Sequence, residues 1–248
     1  MQRIFIRSDQ LINQEITLDE ATAHHLFNVC RLDTNDLLEI VLNHERLLHV
    51  RINDIKNNRL NISIIDQWAI SPQRRFNISL IQSLPKQDKL TDVCRLCTEL
   101  GVGAFYPVIS EYCDVTCLSE NKHRRAQNAI ISAAKQSKQT NIPILHATTS
   151  LETCLESLVF SPTTLRLVAY EHSTQFLPNV LNASTFDHLV LAIGPEGGFG
   201  SNDLSLFSDH NFHQFSLGKF ILRTEHAGFA AINQLDGGVA MRHPNYSD

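Results

Sequence analysis

An α/β fold, with a parallel sheet preceded by a small β-rich module, is the architecture that this 248-residue sequence predicts. Three observations point to it. Beyond Phe76, apolar runs of strand length alternate with stretches of helical periodicity, the pattern of a sheet covered on both faces. Before Trp68 the apolar runs are short, β-rich and separated by Asn, Asp and charged clusters. Late in the chain, two apolar runs each end in a glycine-bearing turn, as ligand-binding strand ends do.

In the first region Gln2–Ile6, Leu37–Leu42, Leu47–Ile52 and Leu60–Ile64 read as strands. Asn57-Asn58 marks a turn between the last two. Leu18–Arg31 reads as one inserted helix. Ser71-Pro72-Gln73 is a linker in which Pro72 discourages a helix before it. The boundaries predicted are therefore a module over 1–70 and a larger α/β domain over 74–248. In that domain Phe76–Ser83 is a strand, and Gln87–Leu100 is a helix with Leu90, Val93, Cys94, Cys97 and Leu100 on one stripe and Gly101 as its stop. Ser119–Lys138 supplies a second helix. Further strands are expected at Ala104–Ile109, Leu165–Tyr170, His188–Ile193 and Phe212–Leu217, giving a sheet of about five or six strands.

The formal charge of −5 argues at first sight against a nucleic-acid partner. Local patches offset that average. Arg74, Arg75, Lys86, Lys89 and Arg95 form one basic cluster, and Lys122, Arg124, Arg125, Lys135 and Lys138 another. No apolar run reaches the length of a membrane span, and no signal-peptide core follows Met1, so a cytoplasmic location without membrane attachment is expected. Cys94-x-x-Cys97 and Cys113-x3-Cys117 have roughly zinc-site spacing. Cys94 and Cys97 lie on the apolar helix stripe, however, where free cysteine behaves as a small hydrophobe, so no metal is expected. A G-x-S-x-G hydrolase elbow is missing from the sequence.

The chemistry-bearing segments are Ile193-Gly-Pro-Glu-Gly-Gly-Phe-Gly200 and Leu217-Gly-Lys-Phe-Ile-Leu-Arg-Thr-Glu225. The first lacks the Lys-Ser/Thr of a triphosphate loop, and its glycine spacing is not that of a dinucleotide fold. Glycine turns expose main-chain hydrogen-bonding groups, which suit an adenine ring and a neutral or zwitterionic ligand. Ser201, with Asp203 after it, reads as the cap of a following helix, and Thr224-Glu225 as the cap and first turn of a C-terminal helix.

These two segments together resemble the RsmE family of 16S ribosomal RNA uridine-N3 methyltransferases, within the SPOUT superfamily. The likeness extends to Arg3-Ile-Phe-Ile-Arg7, His25–Leu32, Thr98-Glu-Leu-Gly-Val102, Ser110-Glu111 and Gln136-Ser137. The resemblance implies a SPOUT-type parallel sheet with a C-terminal trefoil knot, a PUA-like β-barrel before it, a homodimer, and 16S rRNA or the small ribosomal subunit as partner. S-adenosylmethionine is the implied methyl donor, held at Leu167, Ile193, Gly194, Glu196, Gly197, Gly198, Leu217, Gly218, Ile221 and Leu222. A side chain at Gly197 is expected to obstruct the donor. Uridine N3 is a weak nucleophile that carries a proton, so Arg223 is the expected stabiliser of charge on O2 and O4, with Glu225 as base, orienting group or helix cap. RNA contacts are expected at Arg3, Arg7, Arg31, Lys86, Lys89, Arg124 and Arg125. Tyr112, Gln139, Gly200, Phe220 and His226 depart from the family pattern. Those departures keep open a second reading, a noncatalytic RNA-binding or ribosome-assembly protein.

Overall fold

The strands over Leu37–Leu42, Asn77–Ser83 and His188–Ile193 are near-continuous buried runs, so both of their faces are covered. The computed structural model describes residues 1–72, 76–176 and 186–242. Two compact units result, Met1–Gln73 with Lys135–Asn141, and Arg74–Ala134 with Ile142–Asp248. Arg74 and Arg75 of the first basic cluster lie outside the described residues.

The first unit is built on a six-stranded mixed sheet of order β1-β4-β5-β6-β3-β2. Its strands are β1 (Gln2–Ile6), β2 (Leu11–Ile12), β3 (Glu15–Thr17), β4 (Leu37–Leu42), β5 (Arg46–Lys56) and β6 (Arg59–Ala69). Only β1 and β4 pair in parallel. Ile4, Ile6, Leu38, Ile40, Leu48, Val50, Ile52, Leu60 and Ile62 form its core with Leu18, Ala23 and Leu26. Asn57 and Asn58, with φ of 45° and 61°, make the turn between β5 and β6, the left-handed geometry that asparagine tolerates. Both strands outrun their predicted lengths, because their outer halves mix polar and apolar residues that are mostly exposed and leave no buried alternation for a hydrophobic pattern to register. The helix expected over 18–31 is shorter. α1 (Glu20–His24), capped by Asp19, gives way to a wider-turned stretch over His25–Val29, and Arg31 has a φ of 53° that no helix continues through.

The second unit carries an all-parallel sheet of order β10-β8-β7-β12-β11-β13, with β9 paired to β8. Its strands are β7 (Asn77–Ser83), β8 (Ala104–Ile109), β9 (Ile144–Leu145), β10 (Thr149–Ser150), β11 (Thr164–Ala169), β12 (His188–Ile193) and β13 (His213–Phe215). The helices are α2 (Lys89–Glu99), α3 (Glu120–Gln136), α4 (Leu151–Ser157), α5 (Ser201–Asp209) and α6 (Thr224–Arg242). Leu189, Leu191 and Ile193 of β12 face the layer that includes α2, α3 and α6, whereas Val190 and Ala192 face α4 and α5. That period-two division buries both faces, as a parallel sheet requires. Gly101, with φ 82°, follows α2 as its stop. The two-residue strands β9 and β10, and α4 behind its Ser150 cap, are elements that the sequence reading did not foresee.

Ser201 is not a cap. It is the first residue of α5, Gly200 takes the cap position, and the Asp203 carboxylate reaches back to accept from Gly200 N–H at 3.0 Å. Thr224 likewise begins α6 rather than capping it. Cys94 and Cys97 are fully buried in the core, where desolvation pushes both thiols up, Cys97 to about 12.

Candidate functional site

Three adjacent parallel strands, β12, β11 and β13, end at the same edge of the sheet, so the segments that follow them converge there. Between them lies a cavity of about 420 Å³, a size suited to a small ligand. Ala169, Tyr170 and Glu171 line it from β11, the Ile193–Phe199 turn from β12, and Ser216 to Thr224 from β13.

The two predicted segments are tied to each other by one hydroxyl. Thr224 Oγ1 donates to Gly194 O at 2.6 Å and accepts from the buried Gln82 side-chain amide at 3.0 Å. Helix α6, packed beneath through Ala227, Ala231, Ile232 and Leu235, thereby anchors both segments to β7. In the first turn, Gly198 has φ 74°, and a Cβ there would lie 2.8 Å from Glu171 Oε1. The positive φ favours glycine, and any side chain would also have to push the Glu171 carboxylate aside.

Glu196 closes the turn electrostatically. Its carboxylate accepts from Lys86 N–H at 3.2 Å and from Lys89 Nζ at 3.0 Å. Burial alone would raise this carboxyl, but Lys89 and the backbone amides hold it below the usual carboxylate range. The hydrogen bond to Glu196 correspondingly raises Lys89. Lys89 Nζ also lies 3.5 Å from Glu225 Oε2, an ion-pair contact without hydrogen-bond alignment. The second segment is open by contrast. Phe220 and Ile221 are 81% and 85% exposed, and the exposed Arg223 guanidinium has no ion-pair partner among the described residues.

The cavity thus gathers Ile193, Gly194, Glu196, Gly198, Leu217, Gly218, Ile221, Leu222 and Arg223 from the predicted set. Three predicted members stand elsewhere. Leu167 is fully buried, in register with Leu191 of β12, because alternation along β11 turns it into the helix layer. Gly197 is not part of the cavity wall, since a Cβ on it would approach Tyr112 Cβ at 3.0 Å on the opposite side. Glu225 is buried at the start of α6, against Lys89 and off the cavity lining. Lys89, expected on the RNA side, forms part of the cavity wall, and Glu171 joins it unforeseen. The end of β11 was legible as a strand end, but its adjacency to β12 was not.

Of the other basic candidates, Arg3 is unavailable to a phosphate. It is buried in the first unit, with Nε 2.9 Å from Glu39, and it also donates to the carbonyls of Lys138 and Gln139. Arg7 makes a two-point contact with Asp9, and Arg31 is exposed. Lys86 pairs with Asp114 at 2.6 Å, Arg124 with Asn121 at 2.9 Å, and Arg125 with Asp88 at 2.9 Å. These solvent-exposed contacts contribute little stability, so exchanging them for phosphates costs little.

A family model described as an RNA methyltransferase domain matches residues 72–236. A ribosomal RNA small subunit methyltransferase E of Synechocystis is 30% identical over 238 residues, covering 94% of this chain and 77% of that protein. One from Buchnera aphidicola is 30% identical over 244 residues and covers 94% of each chain. Among solved structures, a ribosomal RNA small subunit methyltransferase E from Neisseria gonorrhoeae bound to S-adenosylmethionine aligns with TM-score 0.84 at 26% identity, over 96% of this chain and 97% of that one. A putative methyltransferase from Legionella pneumophila in complex with the same cofactor aligns with TM-score 0.83 at 25% identity, over 95% and 96%. Likeness over nearly the whole length, with both glycine-bearing segments at one cavity, places the chain in the RsmE family of ribosomal RNA small subunit methyltransferases.

Proposed function

We propose that the cavity holds S-adenosylmethionine and that the chain directs its methyl group to N3 of a uridine in 16S rRNA. The observation that carries this reading is the pairing of a glycine-built, carboxylate-flanked cavity with an unpaired arginine on its rim. The walls suit such a donor. Ile193, Phe199, Leu217 and Ile221 provide apolar surface for an adenine ring, and the glycine turns bring main-chain groups close to it. Glu171, exposed and without a cation partner among the described residues, offers charge complementarity to an ammonium or sulfonium. When bound, S-adenosylmethionine supplies an electrophilic methyl group.

The remaining work falls to the chain. Arg223 presents a planar fork of donors to one uridine carbonyl oxygen beside N3, where negative charge grows as the N3 proton passes to water and the methyl–sulfur bond breaks. Lys89 holds Glu196 and Glu225 together and so fixes the turn relative to the start of α6. Phe220 and Ile221 form an apolar rim beside Arg223. Alignment of N3 with the methyl carbon then converts an encounter into an intramolecular step.

The same reading carries a trefoil knot around the two segments, a PUA-like RNA-gripping domain over 1–70, a methyltransferase domain over 74–248, a homodimer and a cytoplasmic location. Arg7, Arg31, Lys86, Arg124 and Arg125 are its phosphate contacts. Mass mapping of 16S rRNA from cells lacking the gene tests it. Loss of one uridine methyl group, restored by the purified chain with S-adenosylmethionine, is expected; an unchanged methylation map would sink the reading.

A further inference from the structure

The back of the Gly194–Gly200 turn is held by a second set of contacts, separate from those that face the cavity. Asp203, nearly fully buried in the first turn of α5, accepts from Gly200 N–H at 3.0 Å and from Glu111 N–H through both its oxygens, at 3.2 and 3.1 Å. The Glu111 side chain returns the contact, its Oε2 accepting from Asn202 N–H at 3.1 Å. Two carboxylates, one from the segment after β8 and one from the first turn of α5, therefore satisfy three main-chain donors. Two of these, Gly200 and Asn202, sit at the start of α5, where such donors lack intrahelical partners and negative charge is favoured. Ser110 Oγ donates to Ser83 Oγ at 2.8 Å, which fastens the Glu111 segment to the end of β7. Tyr112 closes the back of the turn at Gly197.

Gly200 completes the arrangement by what it lacks. A Cβ built on it would fall within the Glu111 carboxylate, although its backbone φ of −78° is open to any residue. A side chain at position 200 would therefore require the Glu111 carboxylate to swing aside, whereas the backbone conformation itself admits any residue. A side chain at position 200 and the Glu111 carboxylate cannot occupy the same space.

We propose that Glu111 and Asp203 form a clamp that fixes the Gly194–Gly200 turn in its donor-binding shape, with Glu111 a positioning residue and Gly200 the gap that admits it. The inference rests on the cavity being the donor site. It differs from a helix-capping role in what it couples, because the energy of the Glu111 contact should appear in donor affinity as well as in folding.

A double-mutant cycle on the full chain tests the clamp by calorimetry with S-adenosylmethionine, alongside thermal unfolding. Glu111→Ala is expected to weaken donor binding about tenfold, whereas Glu111→Gln, which keeps an acceptor for Asn202 N–H, should stay close to the wild type. Gly200→Ser should weaken binding by a similar factor by displacing the carboxylate. The double variant Glu111→Ala with Gly200→Ser should bind about as well as either single one, a coupling of about tenfold or 1.4 kcal/mol. Glu111→Ala with undiminished donor affinity and only a lower melting temperature would overturn the clamp, as would single effects that multiply in the double variant. If Glu111→Ala does not fold, the contrast between Glu111→Gln and Gly200→Ser decides the same question. Failure of the wild-type chain to bind the donor would instead remove the donor-site reading itself.

Discussion

The two segments that make the cavity are alike in sequence and unlike in construction. In the first, Gly197, Gly198 and Gly200 are each faced by a side chain of another strand end, Tyr112, Glu171 and Glu111 in turn, and Glu196 is held by Lys86 and Lys89. In the second, a Cβ on Gly218 would meet nothing within 4 Å, and Phe220, Ile221 and Arg223 stand exposed. The first segment is thus shaped by the protein alone. Large exposed apolar side chains in the second mark a surface awaiting a ligand or partner. Binding of the donor and chemistry on the base should therefore fail separately when the two are altered.

The largest effect is expected in the open segment. Arg223→Ala removes donors aimed at charge that exists only in the transition state, a loss on the order of a hundredfold or more. Single-turnover methylation at saturating donor and RNA should show it, while donor affinity changes little. Arg223→Lys should recover only part of the rate, since an ammonium lacks the planar fork. A fall in donor affinity with an intact single-turnover rate would reverse the roles assigned to the two segments.

Gly198→Ala should produce the next largest change, about a hundredfold in donor affinity, because it combines a φ of 74° with a clash against Glu171. Gly218→Ala meets only the backbone penalty of its φ of 132°, about tenfold by the same measure. Adding Glu171→Ala should relieve part of the Gly198→Ala defect and none of the Gly218→Ala defect. Equal rescue of both in calorimetry would show that the two turns do not differ as described.

Glu196 gives the contrast a pH signature. Its carboxyl is held low, so its stabilising contribution is complete above the ordinary carboxylate value and is lost only as pH falls through the depressed folded value. Lys89 is raised, so its side of the pair persists until pH climbs beyond the ordinary lysine range. Glu196→Gln should consequently melt below the wild type at neutral pH. The gap should begin to close below the ordinary carboxylate range, where the unfolded chain takes up the proton, and should vanish only once pH has fallen through the depressed folded value. A gap that stayed constant through the acid range would mean that the charge of Glu196 contributes nothing to the turn.

Much of this was open to sequence reading for reasons that remain local. Gly101 ends α2 and Asn57-Asn58 turn β5 into β6 because left-handed backbone has few suitable residues, and both signals are read without knowing the fold. The two cavity segments were visible on the same ground. What stayed hidden depends on which strands lie side by side. Glu171 reaches the cavity only because β11 lies between β12 and β13, and the face of Gly197 that a side chain would occupy is backed by Tyr112, which follows another strand. Arg3 shows the same limit. It is indistinguishable in sequence from a surface arginine until Glu39 of the neighbouring strand is placed beside it. Asp203 was readable as part of a helix start, but its second donor, Glu111 N–H, comes from a distant segment.

The smallest expected effect is the most specific to the open segment. Phe220 is 81% exposed, so Phe220→Ser removes almost no buried contact and should leave the melting temperature of the free chain nearly unchanged. Its neighbours on the cavity rim are Ile221 and Arg223, where an aromatic face can stack on an unpaired base beside the guanidinium. The change should therefore weaken binding of small-subunit RNA about fivefold to tenfold, the lower part of the range of one base–aromatic stack, and spare donor affinity. Phe220→Tyr, which keeps the ring, should restore RNA binding. Should Phe220→Ser instead lower the melting temperature with RNA affinity intact, Phe220 would be a packing residue like those behind the first turn, and the two segments would be built alike after all.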